Sequence, residues 1–337
     1  MEYFGIDVHS KYSEICGLSE EGEVTVRRRI PTTETALRRF FGPRERSEVT
    51  LESGPVTPWV VRLLCELGHD VTVVNPRRVR LIAESTLKTD GIDAEVLARL
   101  SRLDLGFLRP VYQRTREAQE LRTRLRVRTS LVKSRTSLIN AVRGTLRAQG
   151  YRVPSCAAKS FVVRFASMGL KTTLSEAIDP LVTTIGELTD RINGLEKALV
   201  AESRSNELLV RLQTVPGVGP LVSLAYMGWV DSPDRFKRSR DVGACLGLRP
   251  SLRSSGGHEI RGRITREGDS EMRRLLVQAA HAALNCRKDS SLKRWGEGLV
   301  ERLGKGKAVV ALARKIAVLL HRLWVTGESF RAFPQAA

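Results

Sequence analysis

Four acidic residues in the first hundred positions have the types and spacing of a divalent-metal site. Asp7 interrupts the apolar run Tyr3–Val8, where a buried carboxylate without a partner would cost several kcal/mol. Glu52 ends another apolar run, and Asp90 and Asp93 are spaced i, i+3, which places both on one helix face. These oxygen ligands could hold two Mg²⁺ (or Mn²⁺) ions, which activate a nucleophile and stabilise a leaving oxygen in phosphodiester chemistry.

Each of these acids also fits a purely structural role. Asp90 is a suitable helix N-cap, with Asp93 completing a start that resembles a capping box. Glu52 fits a surface acid at the end of a strand. The metal site is favoured by the set taken in order, which is an aspartate in the first strand, a glutamate in the fourth and an Asp-x-x-Asp pair in a later helix.

A second group of candidate residues lies around Ser254-Ser255-Gly256-Gly257. A serine hydroxyl is a poor nucleophile unless a base or a metal activates it, and no His, Asp or Lys stands at a spacing diagnostic of a base. On its residues alone, this segment is a plain turn. Arg261, Arg263 and Arg266 follow it, and they are suited either to contact a phosphate or to form a solvated basic face.

A glycine-rich turn precedes this group. The segment Leu212–Pro220, which contains Gly217 and Gly219, resembles the turn of a helix-hairpin-helix, an element that presents backbone N–H groups to a DNA phosphate. An apolar helix follows, and eleven Lys or Arg residues lie between Arg235 and Arg274. The sequence therefore predicts a mainly helical C-terminal domain that contacts a nucleic-acid backbone.

The four acids require a sheet that brings distant segments to one edge. Three early β-rich runs are followed by alternating helical and β-rich patterns, an order typical of an RNase H-like sheet. We therefore predict an α/β domain over residues 1–110. Its strands are predicted at Tyr3–Val8, Ser13–Leu18, Val24–Ile30, Val49–Glu52 and Val71–Val74, with one helix from Thr33 and another ending at Gly68.

A long basic helix is predicted next. Leu125, Val132, Ile139 and Leu146 recur every seven residues within residues 114–147, which hold ten Lys or Arg residues. A second helical pattern runs from about residue 174 to 212, so the two predict a long helical hairpin. Its apolar stripe fits a helical-bundle core and equally an intermolecular coiled coil, which would give a homodimer or homotetramer.

The predicted fold class is therefore α/β plus α. After the first domain we expect a helical, coiled-coil linker at 111–205, a mainly helical, Arg-rich domain at 206–290 and a C-terminal helical extension at 291–337.

Composition and sequence pattern indicate a polyanionic partner and argue against a membrane-spanning protein and against a secreted one. The formal charge is +19 and the pI about 10.4, and such an excess is stabilised by phosphates. The most apolar stretch, Val309–Val325, is interrupted by four basic or imidazole side chains, so no membrane span is expected. The N-terminus has no signal-peptide pattern, and the five scattered cysteines form no Cys-x-x-Cys pair, which predicts a cytoplasmic protein without a zinc site or disulfide framework.

Taken together, the segments resemble the DEDD transposases of insertion-sequence family 110, which have a RuvC-like N-terminal domain and are related to the Piv DNA invertase. The similarity follows the family order through nearly the whole chain, with Arg249 standing where many members have Thr or Val. It is carried by Gly5–His9, Leu51–Gly54, Val74–Pro76, Lys88–Ala94, Val215–Gly219, Gly247–Pro250, Ser254–Gly257 and Arg263–Asp269.

The resemblance implies specific roles. The family's acidic tetrad corresponds to Asp7, Glu52, Asp90 and Asp93. Its nucleophilic serine directly precedes a glycine after the Leu-x-Pro segment, which corresponds to Ser255 rather than the adjacent Ser254. The resemblance also implies a composite site of tetrad and serine, a covalent phosphoserine intermediate, and a bridge RNA encoded by the element that pairs with donor and target DNA. The protein would then act on the bacterial nucleoid.

Three functions remain open on the sequence. The first is a DNA recombinase that mobilises its own element, where transposition and inversion differ only in the DNA sites supplied. The second is a junction-resolving nuclease that cuts through the acids alone. The third is a non-catalytic nucleic-acid-binding protein with structural acids. They differ in whether activity requires Ser255 and Asp7.

Overall fold

The computed structural model describes residues 1–75, 90–102, 110–170, 173–255 and 258–333. The chain divides into two compact units, Met1–Arg114 and Thr115–Ala337. A mixed α/β unit followed by a mostly helical one agrees with the predicted α/β plus α class. The finer predicted divisions at 111–205, 206–290 and 291–337 stay predictions. Within the described ranges, no helix is both long and apolar enough to cross a membrane.

The first unit is built on a five-stranded sheet of order β3-β2-β1-β4-β5. Strands β1, β2 and β3 are antiparallel neighbours, whereas β4 runs parallel to β1 and β5 parallel to β4. All five predicted strands are confirmed, because their apolar runs supply the buried residues of the sheet. The elements are β1 (Tyr3–Val8), β2 (Tyr12–Leu18), β3 (Val24–Pro31), α1 (Glu34–Phe41), β4 (Glu48–Glu52), α2 (Thr57–Glu66), β5 (Asp70–Val74) and α3 (Asp90–Ser101).

The two faces of this sheet are covered differently. On one face, Phe4, Ile6 and Leu51 are fully buried in a core that also contains apolar residues of α1 and α2. On the other face, α3 packs against the backbone of β1. A Cβ atom at Gly5 would lie 2.0 Å from the carbonyl oxygen of Ala94, so only glycine permits this approach.

The second unit begins with two long helices and continues as a compact helical domain. Its elements are α4 (Arg116–Ala148), α5 (Phe161–Ala166), α6 (Thr173–Ser205), α7 (Glu207–Leu212), α8 (Pro220–Val230), α9 (Ser239–Cys245), β6 (Pro250–Ser255), β7 (His258–Ile264), α10 (Ser270–Leu284), α11 (Ser291–Leu303) and α12 (Lys305–Thr326).

Helices α4 and α6 pair antiparallel along their length. Arg124 Nη1 lies 2.6 Å from Glu202 Oε2, and further along Arg135 Nη1 donates to Thr189 Oγ1 at 3.3 Å. The predicted heptad stripe is buried at Leu125 toward one end of α4 and at Ile139 and Leu146 toward the other, but Val132 between them is only half-buried. The stripe is thus packed within this unit at its ends.

The second predicted helical pattern is interrupted at Asn206. Its side chain accepts a hydrogen bond from the backbone N–H of Leu209 at 3.2 Å, in an extended backbone conformation typical of an N-cap. Asn206 therefore starts α7 as a separate helix where the sequence pattern predicted continuity.

A two-stranded antiparallel sheet, β6–β7, lies in the otherwise helical domain and was not predicted. Apolar and polar residues alternate from Glu259 to Ile264, and Gly256-Gly257 stands between the two runs. This period of two with a central glycine pair is the signal that would have identified the hairpin.

Candidate metal centre and serine hairpin

Asp7 and Glu52 lie side by side at the carboxyl ends of neighbouring parallel strands. The register of β1 and β4 pairs Ile6 with Leu51, so the following residues of the two strands, Asp7 and Glu52, are adjacent. Because Ile6 and Leu51 point into the core and side chains alternate along a strand, the two acids share the opposite face, where α3 packs. The sheet thus brings together two residues that are 45 positions apart in the sequence.

Local contacts fix the side chain of Asp7 and the backbone at Glu52. His9 Nε2 donates a hydrogen bond to Asp7 Oδ2 at 3.0 Å, and the Asp7 side chain is 18% exposed. Thr57 Oγ1 donates to the backbone oxygen of Glu52 at 2.7 Å and accepts from the N–H of Gly54 at 2.9 Å, which closes the turn after β4. Sequence reasoning did not assign a role to His9, although its position two residues after Asp7 places it on the same side of the chain.

The first turn of α3 lies at this same edge of the sheet. Gly5 is opposite Ala94, and at the other end of the helix Arg102 Nη2 donates to the backbone oxygen of Glu20, in the turn between β2 and β3, at 2.7 Å. The helix therefore runs antiparallel to β1, and its N-terminus, which begins at Asp90, points toward the end of β1 that carries Asp7. A helix N-terminus favours nearby negative charge.

The described side chains do not complete a metal-binding set. Asp93 is exposed on the first turn of α3, and the side chain of Asp90 lies outside the described residues. No three His, Cys, Asp or Glu side chains in the described ranges are close enough to hold one metal ion. The structure therefore brings Asp7 and Glu52 together and directs the helix of the other two acids to them, without a closed ligand set.

Ser255 is the last residue of β6, at the tip of the β6–β7 hairpin. Its Cα pairs with that of His258, and Ser254 pairs with Glu259. The side chains of residues 253–261, which include both serines and Arg261, lie outside the described residues, as do Gly256 and Gly257 entirely. The predicted role of Ser255 and the choice between it and Ser254 are therefore untested by the geometry.

At the base of the hairpin, two of the sequence motifs, Gly247–Pro250 and Arg263–Asp269, are in contact, and we call this contact the clasp. The backbone N–H of Arg266 donates to the oxygen of Gly247 at 3.2 Å, and a Cβ at Gly247 would lie 2.4 Å from the nitrogen of Glu267. Gly268 fits as closely, with its Cβ position 2.2 Å from the oxygen of Cys245. Both glycines also have positive φ, so the clasp requires glycine at both positions.

Asp269 then anchors the clasp to the helical domain. Its Oδ1 accepts a hydrogen bond from the N–H of Met272 at 2.9 Å, which caps α10, and its Oδ2 lies 2.6 Å from Arg122 Nη2. Both side chains of this ion pair are 16% exposed. The partners are 147 positions apart, so nothing in the local sequence indicated the contact.

The glycine-rich turn between α7 and α8 contains two glycines in different surroundings. Gly217 has φ of 84°, and a Cβ there would lie 2.1 Å from the backbone oxygen of Ala279 in α10. Gly219 is the N-cap of α8, and a Cβ there would meet nothing within 4 Å. Close packing against α10 thus explains why residue 217 is a glycine. The space around Gly219, at the start of α8, is open. Their predicted contact with a phosphate stays a prediction.

The substitution Gly217→Ala is expected to lower the free energy of unfolding by about 2–4 kcal/mol, because it adds strain at positive φ and a clash with α10. Gly219→Ala is the matched control and should cost less than about 1 kcal/mol. Thermal or urea unfolding measures both. A Gly217→Ala protein with unchanged stability and weakened DNA binding would contradict the packing role.

Comparison with known proteins gives a consistent result over most of the chain. Residues 4–149 match a family described as "Transposase", and residues 210–295 match one described as "Transposase IS116/IS110/IS902 family". A transposase for insertion sequence element IS1111A from Coxiella burnetii is 30% identical, over 98% of this chain and 92% of that protein. A probable family 20 transposase from Pseudomonas aeruginosa is 30% identical over 95% of both, and a transposase for IS1328 from Yersinia enterocolitica is 29% identical over 97% of both.

Proposed function

Because the chain belongs to the IS116/IS110/IS902 family of transposases, we propose that it cuts and rejoins DNA through a metal-bound carboxylate centre and a serine nucleophile. The observation that carries the proposal is the adjacency of Asp7 and Glu52 at one edge of the sheet, toward which the first turn of α3 is directed. The strand order of the first unit supports an RNase H-like domain of the RuvC kind.

The carboxylate centre is proposed to consist of Asp7, Glu52, Asp90 and Asp93. Carboxylate oxygens are the ligands that Mg²⁺ and Mn²⁺ prefer, and the two adjacent strand ends supply them from a rigid sheet. Bound metal would polarise the scissile phosphate and lower the pKa of a hydroxyl group. The hydrogen bond from His9 to Asp7 Oδ2 would orient the carboxylate and leave its other oxygen for a metal ion.

Ser255 is proposed to be the nucleophile. Its hydroxyl gives up its proton as Oγ forms a bond to the phosphorus atom of the cut strand; the bond from phosphorus to the leaving deoxyribose oxygen breaks, and that oxygen takes up a proton, so the number of protons is unchanged. Attack by a DNA hydroxyl on the phosphoserine then reverses the exchange and releases the serine. The energy of the phosphodiester bond is kept in the intermediate, so rejoining needs no nucleotide cofactor.

Nucleic acid is the proposed partner in two forms. DNA provides the element ends and the target, and a bridge RNA pairs with both. The charge of +19 supports binding of several phosphate backbones, and the low aromatic content of 5% fits a protein that leaves base recognition to a paired guide. Arg261, Arg263 and Arg266 beside the hairpin are proposed to contact phosphate. The paired helices α4 and α6 are the proposed means of forming a homodimer or homotetramer.

A recombination assay with purified components tests this function. The protein, with the RNA that co-purifies with it, is incubated with a plasmid that carries the ends of its element and an insertion site. Joined products are expected with Mg²⁺ and are expected to disappear after chelation or after digestion of the RNA. Products that survive RNase treatment would contradict guidance by RNA, and products that survive chelation would contradict the metal centre.

A further inference from the structure

A groove in the second unit lies between the β6–β7 hairpin and helices α11 and α12. Its volume is about 1030 Å³. One wall is formed by Pro250 of β6 and by Arg263 and Ile264 of β7, so the groove adjoins the hairpin that carries Ser255. A volume of this size is at the upper end of the range for pockets that enclose whole organic ligands.

The opposite wall is one face of α12. The residues that line it are spaced three or four apart, as neighbours on a helix surface are. Cationic and apolar side chains follow one another turn by turn along this face: Lys307, Val310 with Ala311, Arg314 with Lys315, and Val318. The α12 wall of the groove therefore has positive charge beside apolar surface.

The positive charge in this groove is not balanced by the protein. Five cationic side chains line it (Arg263, Arg266, Lys307, Arg314 and Lys315), with no acidic residue among the described lining residues. None of the five forms an ion pair with a residue that the structure describes, whereas Arg122, Arg124 and Arg294 elsewhere in the unit each pair with an acid. Such a group of like charges is stabilised when an anion occupies the space between them.

The apolar surface of the groove distinguishes the kind of anion. Trp295 lines it with Leu248 and Ile264, and the ammonium group of Lys315 lies 4.0 Å from the centroid of the Trp295 ring. Burial lowers the pKa of this ammonium group, so a neighbouring anion would stabilise its charged form. A paired duplex keeps its base faces stacked inside and offers a protein mainly phosphates, whereas an unpaired strand also offers apolar base faces.

We propose that this groove binds an unpaired nucleic-acid strand at the base of the hairpin that carries Ser255, with phosphates at the five cationic side chains and bases on the apolar wall. The inference rests on the proposed function in so far as a strand must be opened to be exchanged. It assigns to Trp295, Lys307, Arg314 and Lys315 a role in holding the strand that base pairing has released.

Binding without cleavage tests the proposal. Affinities of the full chain for an oligothymidylate strand, for an oligouridylate strand and for a DNA duplex of the same length are measured by fluorescence anisotropy in the absence of divalent metal. Because no cleavage occurs, the result is independent of whether Ser255 and the acids act as proposed. The variant Lys307→Ala/Arg314→Ala should bind the single strands about tenfold or more weakly than the unmodified protein.

A charge-matched variant serves as the control. Lys133→Ala/Arg147→Ala removes two exposed cationic side chains of α4, outside the groove. We expect it to weaken single-strand and duplex binding equally and slightly, and we expect the groove variant to weaken duplex binding no more than this control does. The ratio of oligothymidylate to oligouridylate affinity then shows whether the strand held is DNA or RNA.

A second variant addresses stacking. Trp295→Leu keeps an apolar side chain in the wall and should lower single-strand affinity about fivefold or more, with the thermal unfolding temperature measured alongside. Unchanged single-strand affinity in the Lys307→Ala/Arg314→Ala variant would overturn the proposal. An equal loss for duplex and single strand would overturn it too, because it would identify a general phosphate-binding surface.

Discussion

Replacing Asp7 by Asn is expected to lower the rate of metal-dependent DNA cleavage by about a thousandfold, with little change in folding. The amide keeps the size of the side chain and can still accept a hydrogen bond from His9, but it loses the charge that a divalent cation needs. Metal-ion catalysis contributes several kcal/mol to a phosphodiester reaction, which corresponds to about three powers of ten in rate. Cleavage of labelled element ends in Mg²⁺ measures the effect.

The neighbouring strand supplies a matched pair of variants for the same prediction. Glu52→Gln and Glu48→Gln make the same chemical change at the two ends of β4. Only the first lies at the edge where Asp7 is found, so only the first should abolish cleavage. Normal metal-dependent cleavage by both Asp7→Asn and Glu52→Gln would show that these acids are structural, as in a non-catalytic nucleic-acid-binding protein.

Replacing Ser255 by Ala is expected to eliminate the covalent protein–DNA adduct and to lower recombination by at least about a thousandfold. Loss of the hydroxyl removes the atom that attacks phosphorus, and no other side chain can take its place without rebuilding the site. The measurement is denaturing electrophoresis of labelled DNA after incubation with the protein, followed by mass spectrometry of the linked peptide.

The adjacent serine provides the control. Ser254→Ala removes the same hydroxyl oxygen from the neighbouring residue of the same strand. This variant should still form the adduct and keep most of the recombination activity. If Ser255→Ala still forms the adduct and Ser254→Ala does not, the nucleophile is the neighbouring residue. If the unmodified protein cuts DNA and neither serine is needed, the chain is a nuclease that resolves junctions through its acids alone.

Much of the first unit followed from the sequence because its structure is encoded locally. Each strand was visible as a short apolar run, and Asp7 was conspicuous because a carboxylate in such a run requires a partner. The adjacency of Asp7 and Glu52 then followed once the two strands were assumed to be neighbours, which the parallel register of β1 and β4 confirms. A role for His9 does not follow from the sequence, because a histidine near a strand end has many ordinary roles.

The second unit was less predictable because its contacts join distant residues. The ion pair of Arg122 with Asp269 and the approach of Gly217 to Ala279 connect segments that no local pattern relates. The β6–β7 hairpin lies within an Arg-rich stretch, and there the many charged side chains obscure the alternation that is typical of strands. The groove beside it depends on α11 and α12, which pack there through the shared core of the unit.

The contact at Gly5 has a consequence for how the first unit can vary. Helix α3 rests on bare backbone at this point, and a single methyl group on residue 5 would need space that the carbonyl of Ala94 already occupies. Any larger residue would lift the helix from the sheet and carry Asp90 and Asp93 away from Asp7 and Glu52. The distance between α3 and the acidic edge of the sheet is thus determined by the smallest residue of the strand. Substitutions meant to alter the properties of the acids should therefore keep glycine at position 5.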